Sequence, residues 1–383
     1  MTRFVDGNRI TLLQNGTDYF PALEAAIEQA VREIYLETYI FEDDSTGRQI
    51  AAALKRAARR GVTTHLLLDG YGAKDLPLEV IDGMRSAGVQ VLIYRPVLAK
   101  FRRSSYRRLH RKIALADNRI AFVGGINIID DMDTPGQTPP RYDYAVGVEG
   151  PLVQAVHETA RKLWGLVAWS QLKRRRRRQH RDPLSLPFAD GVRAAFVIRD
   201  NINHRRDIED AYLDAIDQAR SEVIIANAYF LPGRRFRQAL IAAAKRGVKV
   251  TLLLQGRVEY LLLHYATRAL YGIFLDSGIE IFEYHRSFLH AKVAVIDRHW
   301  ATVGSSNIDP FSLLLSREAN VIVDDGGFAA ELRASLEQSM AEGSRVVTYD
   351  HWRRQPLYLR LFSWLCYGSL RLLMGVAGYG RQH

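Results

Sequence analysis

The chain of 383 residues holds a single cysteine, Cys366, so it forms no internal disulfide and carries no Cys/His zinc spacing. That scarcity fits a reducing cytoplasm. Long apolar runs are missing as well: no stretch reaches the roughly 20 residues needed to cross a bilayer. Met1 to Gly16 contains Arg3, Asp6 and Arg9 and no apolar core, so neither a signal peptide nor an N-terminal membrane helix is expected. No carboxylate cluster presents itself as a metal site, and no cofactor is expected. Acidic charge is in short supply, with 42 Asp+Glu against 53 Lys+Arg and a net charge of +11. Such a surplus favours an anionic partner: nucleic acid, an acidic membrane surface or a phosphorylated substrate. A hydrophobic fraction of 48% is ordinary for a folded protein and excludes general disorder. The length fits about two domains.

The chain repeats itself. Arg60-Gly61-Val62 followed by His65-Leu66-Leu67-Leu68 returns as Arg246-Gly247-Val248 followed by Leu252-Leu253-Leu254. Ile34 to Tyr39 corresponds to Val223 to Tyr229, Ala87-Gly88-Val89 to Ser277-Gly278-Ile279, and Ile10 to Leu13 to Ala195 to Ile198. Short apolar runs at 34–41, 64–69, 90–94, 112–116 and 119–124 read as buried strands, and 49–60 and 78–87 as helices. The class is α/β, with one helix-flanked sheet expected per half. A helix over 152–172 is predicted to run into Lys173 to Arg178, a basic linker that extends to Pro187.

Each copy contains His-x-Lys-x4-Asp, at His110, Lys112 and Asp117 and again at His290, Lys292 and Asp297. Seven residues beyond each Asp is a glycine, Gly124 or Gly304, and three further an asparagine, Asn127 or Asn307. A five-residue pattern of this kind arises by chance in about one chain in ten thousand of this length, and here it occurs twice in register. His and Lys two apart on a strand face the same side, so one phosphate can meet both. Two such sets facing across a pseudo-twofold axis would supply a nucleophile, an acid and fixed positive charge around one phosphorus. Asp117 and Asp297 belong to the motif's catalytic set, yet their place at a strand end favours anchoring a turn.

These residues resemble the phospholipase D superfamily along nearly the whole chain. Within it they are most similar to the bacterial cardiolipin synthases of the B type. The supporting stretches are Leu67 to Gly72, Ala121 to Gly125 and Trp300 to Asn307. The resemblance implies two tandem α/β/α sandwich domains with the active site at their interface. It also implies transfer of a phosphatidyl group through a phosphohistidine, with His110 as nucleophile and His290 as acid, then base. Asn127, Asn307 and the Ser305 hydroxyl would bind phosphate; the first copy has Gly125 where the second has Ser305. Each imidazole should hold a carboxylate on its other nitrogen. Asp143 lies 33 residues after His110, and Glu318 lies 28 after His290.

The expected divisions are a first domain at 1–172, a linker at 173–190, a second domain at 191–350 and a basic, aromatic segment at 351–383. Its stretch Leu361 to Leu370 either lies in a membrane interface or packs on the domain. Lys100, Arg102, Arg103, Arg107 and Arg108, with Phe101 and Tyr106 between them, could hold anionic headgroups or equally nucleic-acid phosphates before His110. The apolar stretch 261–275 reads as core packing rather than an acyl channel. The expected partners are anionic phospholipids at the cytoplasmic side of a bacterial membrane; the oligomeric state stays open. Hydrolysis of phospholipids is the alternative activity. A nuclease is less favoured, since single-motif bacterial nucleases of the superfamily usually dimerise, and a non-enzymatic scaffold would need neither histidine.

Overall fold

The computed structural model describes residues 2–95, 107–134, 138–171, 185–200, 203–310, 312 and 315–376. The loop residues Lys100 to Arg103 and Tyr106, and the run Lys173 to Arg178, lie outside them.

In the first half, β1 (Val5–Gln14), β2 (Glu33–Thr38), β3 (Thr63–Asp69), β4 (Gln90–Tyr94), β5 (Lys112–Ala116), β6 (Ile120–Gly124) and β7 (Tyr144–Glu149) form the strands. Between and after them run α1 (Asn15–Gln29), α2 (Ser45–Arg59), α3 (Leu78–Ser86) and α4 (Val153–Ser170). The second half has β8 (Val192–Arg199), β9 (Glu222–Asn227), β10 (Lys249–Gln255), β11 (Glu280–Tyr284), β12 (Lys292–Ile296), β13 (Trp300–Gly304), β14 (Glu318–Asp324) and the short β15 (Ser344–Val346). Its helices are α5 (Asp207–Gln218), α6 (Arg234–Lys245), α7 (Leu261–Arg268), α8 (Tyr271–Asp276), α9 (Gly326–Gly343), α10 (Tyr349–Arg353) and α11 (Leu357–Val376).

The first half orders its strands β1-β7-β6-β5-β2-β3-β4, and the second repeats that order as β8-β14-β13-β12-β9-β10-β11, with β15 added at the end. Two separate sheets were expected. Instead β1 and β8, the equivalent edge strands of the two copies, pair antiparallel through Val5 with Ala194 and Asn8 with Val192. The result is one 15-stranded sheet. Joining the edges covers two rows of backbone donors and acceptors that would otherwise be open to other chains. The Asn8 amide bridges the join, donating to the carbonyls of Val5 at 2.7 Å and Val192 at 3.5 Å.

The strands that carry the motif, β5 and β12, are buried along their whole length, which is why they read as unbroken apolar runs rather than alternating ones. Around them are three main cores. One packs α1 and α2 against the first half; α2 starts at an Asp44 cap that accepts from Gly47 N at 2.7 Å and turns Ile50, Leu54 and Ala57 inward. A second holds α5, α6 and α8 on the other half. The third lies between the halves, where Val146 and Val148 of β7 meet Val303, Val321 and the α9 residues Phe328, Leu332 and Leu336.

The stretch 261–275 forms two short helices rather than one. Ala266, Leu270, Tyr271 and Phe274 enter the core, whereas Leu261 and Leu262 stay exposed. In α11 one face, with Cys366 and Leu370, packs into the same core, and Phe362 meets the Tyr265 ring at 4.9 Å. Among the described residues no helix is long and apolar enough to cross a membrane.

Candidate active site

Each motif begins just before a buried strand and ends in the hairpin that follows it. Between β5 and β6, Asp117 and Asn118 adopt φ of 55° and 51°, and Arg119 N–H donates back to the Ala116 carbonyl at 3.0 Å. Asp297 and Arg298 repeat the turn with φ of 50° and 61°. Two consecutive left-handed residues make the hairpin turn that suits strand twist, and Asp tolerates that conformation better than most. The Asp117 carboxylate then accepts from Val31, Arg32 and Glu33 N–H at 2.8 to 2.9 Å, which fixes the start of β2. Asp297 does the same for Arg220, Ser221 and Glu222. Both sit at the far end of a five-residue strand from the lysine. They are therefore anchors and leave the set of residues that touch substrate.

At the other end the two halves interlock. His110 N–H donates to the Arg317 carbonyl at 3.0 Å, and Arg317 N–H donates to the Arg108 carbonyl at 2.8 Å. The second half mirrors this: His290 N–H donates to the Tyr142 carbonyl at 2.8 Å, and Tyr142 N–H to the Phe288 carbonyl at 2.9 Å. Each histidine is thus pinned beside the residue that precedes the other half's carboxylate. The partners are exchanged relative to the reading from chain order. His110 Nδ1 lies 3.0 and 3.1 Å from the two Glu318 oxygens, and His290 Nδ1 lies 2.6 Å from Asp143 Oδ2. With both Nδ1 atoms held, Nε2 is the nitrogen each ring has left for chemistry.

Lys112 and Lys292 are buried and fold back to donate to the carbonyls of His110 and His290 respectively. Lys292 Nζ also lies 4.0 Å from Asp143. The electrostatics follow from burial. It draws Lys112 down to about 7, with Lys292 adding repulsion and Glu318 opposing. Burial, then Lys292, pushes His290 down to about 3. His110 is lowered by burial too, with Glu318 the main force holding it up. Burial would raise Asp143, but Lys292 and His290 outweigh it and leave the carboxyl below its ordinary range. Burial thus disfavours charge on both the imidazoles and the lysines, a setting in which an anionic phosphate would favour their protonated forms.

Asn127 follows β6, and its amide oxygen accepts from Ile40 N–H at 3.1 Å, leaving the amide nitrogen over. Asn307, the equivalent after β13, is buried, with an amide oxygen that has no partner among the described residues. Ser305 makes a different contact from the one expected. Its buried hydroxyl donates to Glu318 Oε2 at 2.6 Å and accepts from Ala319 N–H at 3.0 Å, so it steadies the carboxylate that holds His110. A side chain at Gly125 would place its Cβ 2.3 Å from Asp143 Oδ1. Asp143, the shorter carboxylate and in the same half as Gly125, occupies the space that Ser305 fills in the second half.

The family model described as cardiolipin synthase, phospholipase D-like domain matches residues 23–133 and 212–340. The chain belongs to that family. Cardiolipin synthase B of Escherichia coli (strain K12) is 42% identical over 380 residues, which cover 99% of this chain and 91% of that one. The minor cardiolipin synthase of Bacillus subtilis (strain 168) is 29% identical over 364 residues, covering 93% and 87%. Among solved structures, phosphatidylserine synthase of Haemophilus influenzae Rd KW20 superposes with a TM-score of 0.68 at 12% identity, covering 92% of this chain and 91% of that one. Polyphosphate kinase of Porphyromonas gingivalis gives 0.61 at 16% identity, covering 90% and 49%. These two likenesses concern the fold alone.

Around the paired motifs of this family member stand residues that motif spacing does not reveal. The Tyr39 ring meets the His110 ring edge-on at 5.0 Å, with Lys112 Nζ 5.6 Å from its centroid. Phe288 stacks on His290 at 6.1 Å and carries the Arg141 guanidinium at 5.4 Å. Tyr229 donates to Glu259, a surface residue whose carboxyl is raised to about 7 by the loss of water around it. Asp69 fixes the approach to His110 by accepting from Leu109 N–H at 2.7 Å. The repeat did contain one signal, because Tyr39 and Tyr229 occupy matching positions in the two copies. Glu259 has no such counterpart.

Proposed function

We propose that this chain is a cardiolipin synthase that converts two phosphatidylglycerol molecules into cardiolipin and glycerol through a phosphohistidine. The observation that carries the reading is the crossed pair of sites, His110 with Glu318 and His290 with Asp143, set within a chain of this family. Residues 1–172 and 191–350 act as the two domains, joined by 173–190 and followed by 351–383.

His110 Nε2 attacks the phosphorus of the donor lipid, and the bond from phosphorus to the departing glycerol oxygen breaks. His290 gives that oxygen its proton. A glycerol hydroxyl of the second lipid then loses its proton to His290 and attacks the same phosphorus, breaking the bond to His110. Lys112, Lys292, Asn127 and Asn307 surround the remaining oxygens, where negative charge stays throughout. His290 needs a proton that burial and Lys292 disfavour. The phosphate supplies the reason to take one, because its charge offsets Lys292. The enzyme works as a peripheral protein at the cytoplasmic face of the membrane.

Purified protein incubated with labelled phosphatidylglycerol in mixed micelles should yield labelled cardiolipin. Phosphatidic acid as the sole product would reassign the chain to hydrolysis. For the two histidines, His290→Ala should accumulate a covalent phosphatidyl-protein and His110→Ala should not; the opposite pattern reverses the roles.

A further inference from the structure

The helix α11 presents two opposite faces. Ser363, Cys366 and Leu370 are buried. About 180° around the helix, at the spacing of 100° per residue, lies a stripe of Leu357, Leu361, Leu365 and Leu372. These four are 72%, 65%, 68% and 70% exposed. Tyr358 and Trp364 border the stripe and are also exposed. A water-facing row of leucines over four turns is not ordinary surface, where apolar side chains occur singly.

The row does not stand alone. Beside α11 packs α7, joined to it by the Tyr265–Phe362 ring contact at 4.9 Å. The first turn of α7 adds exposed Leu261 and Leu262 and is preceded by exposed Tyr260. Tyr260 meets Tyr229 at 5.6 Å, and Tyr229 bonds Glu259. Ala228, next to Tyr229, donates its N–H to the Ala291 carbonyl, between His290 and Lys292, at 2.9 Å. The apolar surface therefore runs from the terminal helix to the rim of the active site.

Charge narrows the choice of occupant. Between His351 and Val376 there is no acidic residue, while Arg353, Arg354, Arg360 and Arg371 are present. Arg360 and Arg371 fall about 80–100° from the leucine row on the same side, flanking it. Leucines on one face, Trp and Tyr at the border and arginines beyond form the layout of a helix lying in a lipid interface. A second copy would have to bring like charge against like, since the chain carries +11.

We propose that α7 and α11 form a docking surface for the leaflet of an anionic bilayer, set so that lipid passes from the leaflet into the site without crossing water. The inference rests on the lipid-transfer reading for its purpose and on this surface for its evidence.

The test is flotation of the full chain with phosphatidylglycerol/phosphatidylcholine vesicles and with pure phosphatidylcholine vesicles. Wild type should float with the anionic vesicles and less with neutral ones. The double variant Leu361→Glu/Leu365→Glu should lower the ratio of bound to free protein at least about tenfold with an unchanged melting temperature. Unreduced flotation of that variant overturns the proposal. If the variant instead breaks a dimer and floats as before, the face belongs to a second copy and the proposal is likewise overturned. An independent readout uses wild-type protein and brominated acyl chains. Quenching of tryptophan fluorescence should occur and be lost in Trp364→Phe; quenching undiminished in that variant refutes the surface. Wild type that floats but makes no cardiolipin sinks the transfer reading and leaves the surface supported.

Discussion

Asp117 shows how a motif residue can hold the framework around the site without entering it. Its carboxylate gathers three backbone N–H groups at the start of β2 while its own backbone turns the β5–β6 hairpin. Asp117→Ala should therefore cost about 1–3 kcal/mol of stability in urea unfolding, with turnover per folded molecule within about twofold of wild type. Glu318→Gln is expected to behave in the opposite way. Its shape persists, but it no longer fixes the His110 tautomer, and turnover should fall on the order of 10²-fold or more with little change in melting temperature. His290 adds a pH signature. In the unfolded chain it titrates near 6.5, and in the folded protein burial and Lys292 hold it at about 3. Between those values the unfolded state binds the proton first, so stability falls as pH drops from 6.5 towards 3, by up to about 1.4 kcal/mol per unit from this group. Urea titrations at pH 7 and 5 should show a smaller pH effect in His290→Asn than in wild type.

At the level of elements, the start of β5 sets opposite cargo on its two sides. Lys112 faces the site, whereas its neighbour Arg111 is buried on the other side against Glu37 of β2, with bonds of 2.5 and 2.9 Å. Removing Glu37 would strand a buried guanidinium, so Glu37→Ala should destabilise by about 3–5 kcal/mol by chemical denaturation. Strands and helices near these motifs were legible because their periodicity is local: the apolar runs at 64–69, 90–94 and 112–116 lie within one residue of β3, β4 and β5. The partner of each histidine was not. Asp143 and Glu318 open equivalent strands, and nothing in chain order says that each reaches across the junction. Ser305 misled for a related reason. A hydroxyl beside a phosphate motif reads as a ligand until the Glu318 oxygen 2.6 Å away is seen to consume it. Glu259 gave no signal at all, being a loop carboxylate whose significance comes from its bond to Tyr229 and from the loss of water around its carboxyl.

At the scale of the whole molecule, the β1–β8 join and the central core make the halves one body. The chemistry is shared out in the same way, since each imidazole is completed by a carboxylate from the other copy. Residues 1–171 expressed alone should show no turnover despite intact His110 and Lys112, and 185–383 alone should show none despite intact His290 and Lys292. A lipid-product assay on each half checks this.

The exchange of carboxylates also bears on why the two copies share one chain. In an isologous dimer, residue i of one subunit meets residue j of its partner and the reverse contact follows automatically. The His110–Glu318 and His290–Asp143 contacts have that reciprocal form inside a single polypeptide. A single copy of this unit would need a second copy to complete its histidine, and two copies in one polypeptide hold that pairing at any concentration. Two copies in one chain are also free to differ, as Gly125 differs from Ser305 and Asp143 from Glu318, so the two histidines need not meet identical surroundings.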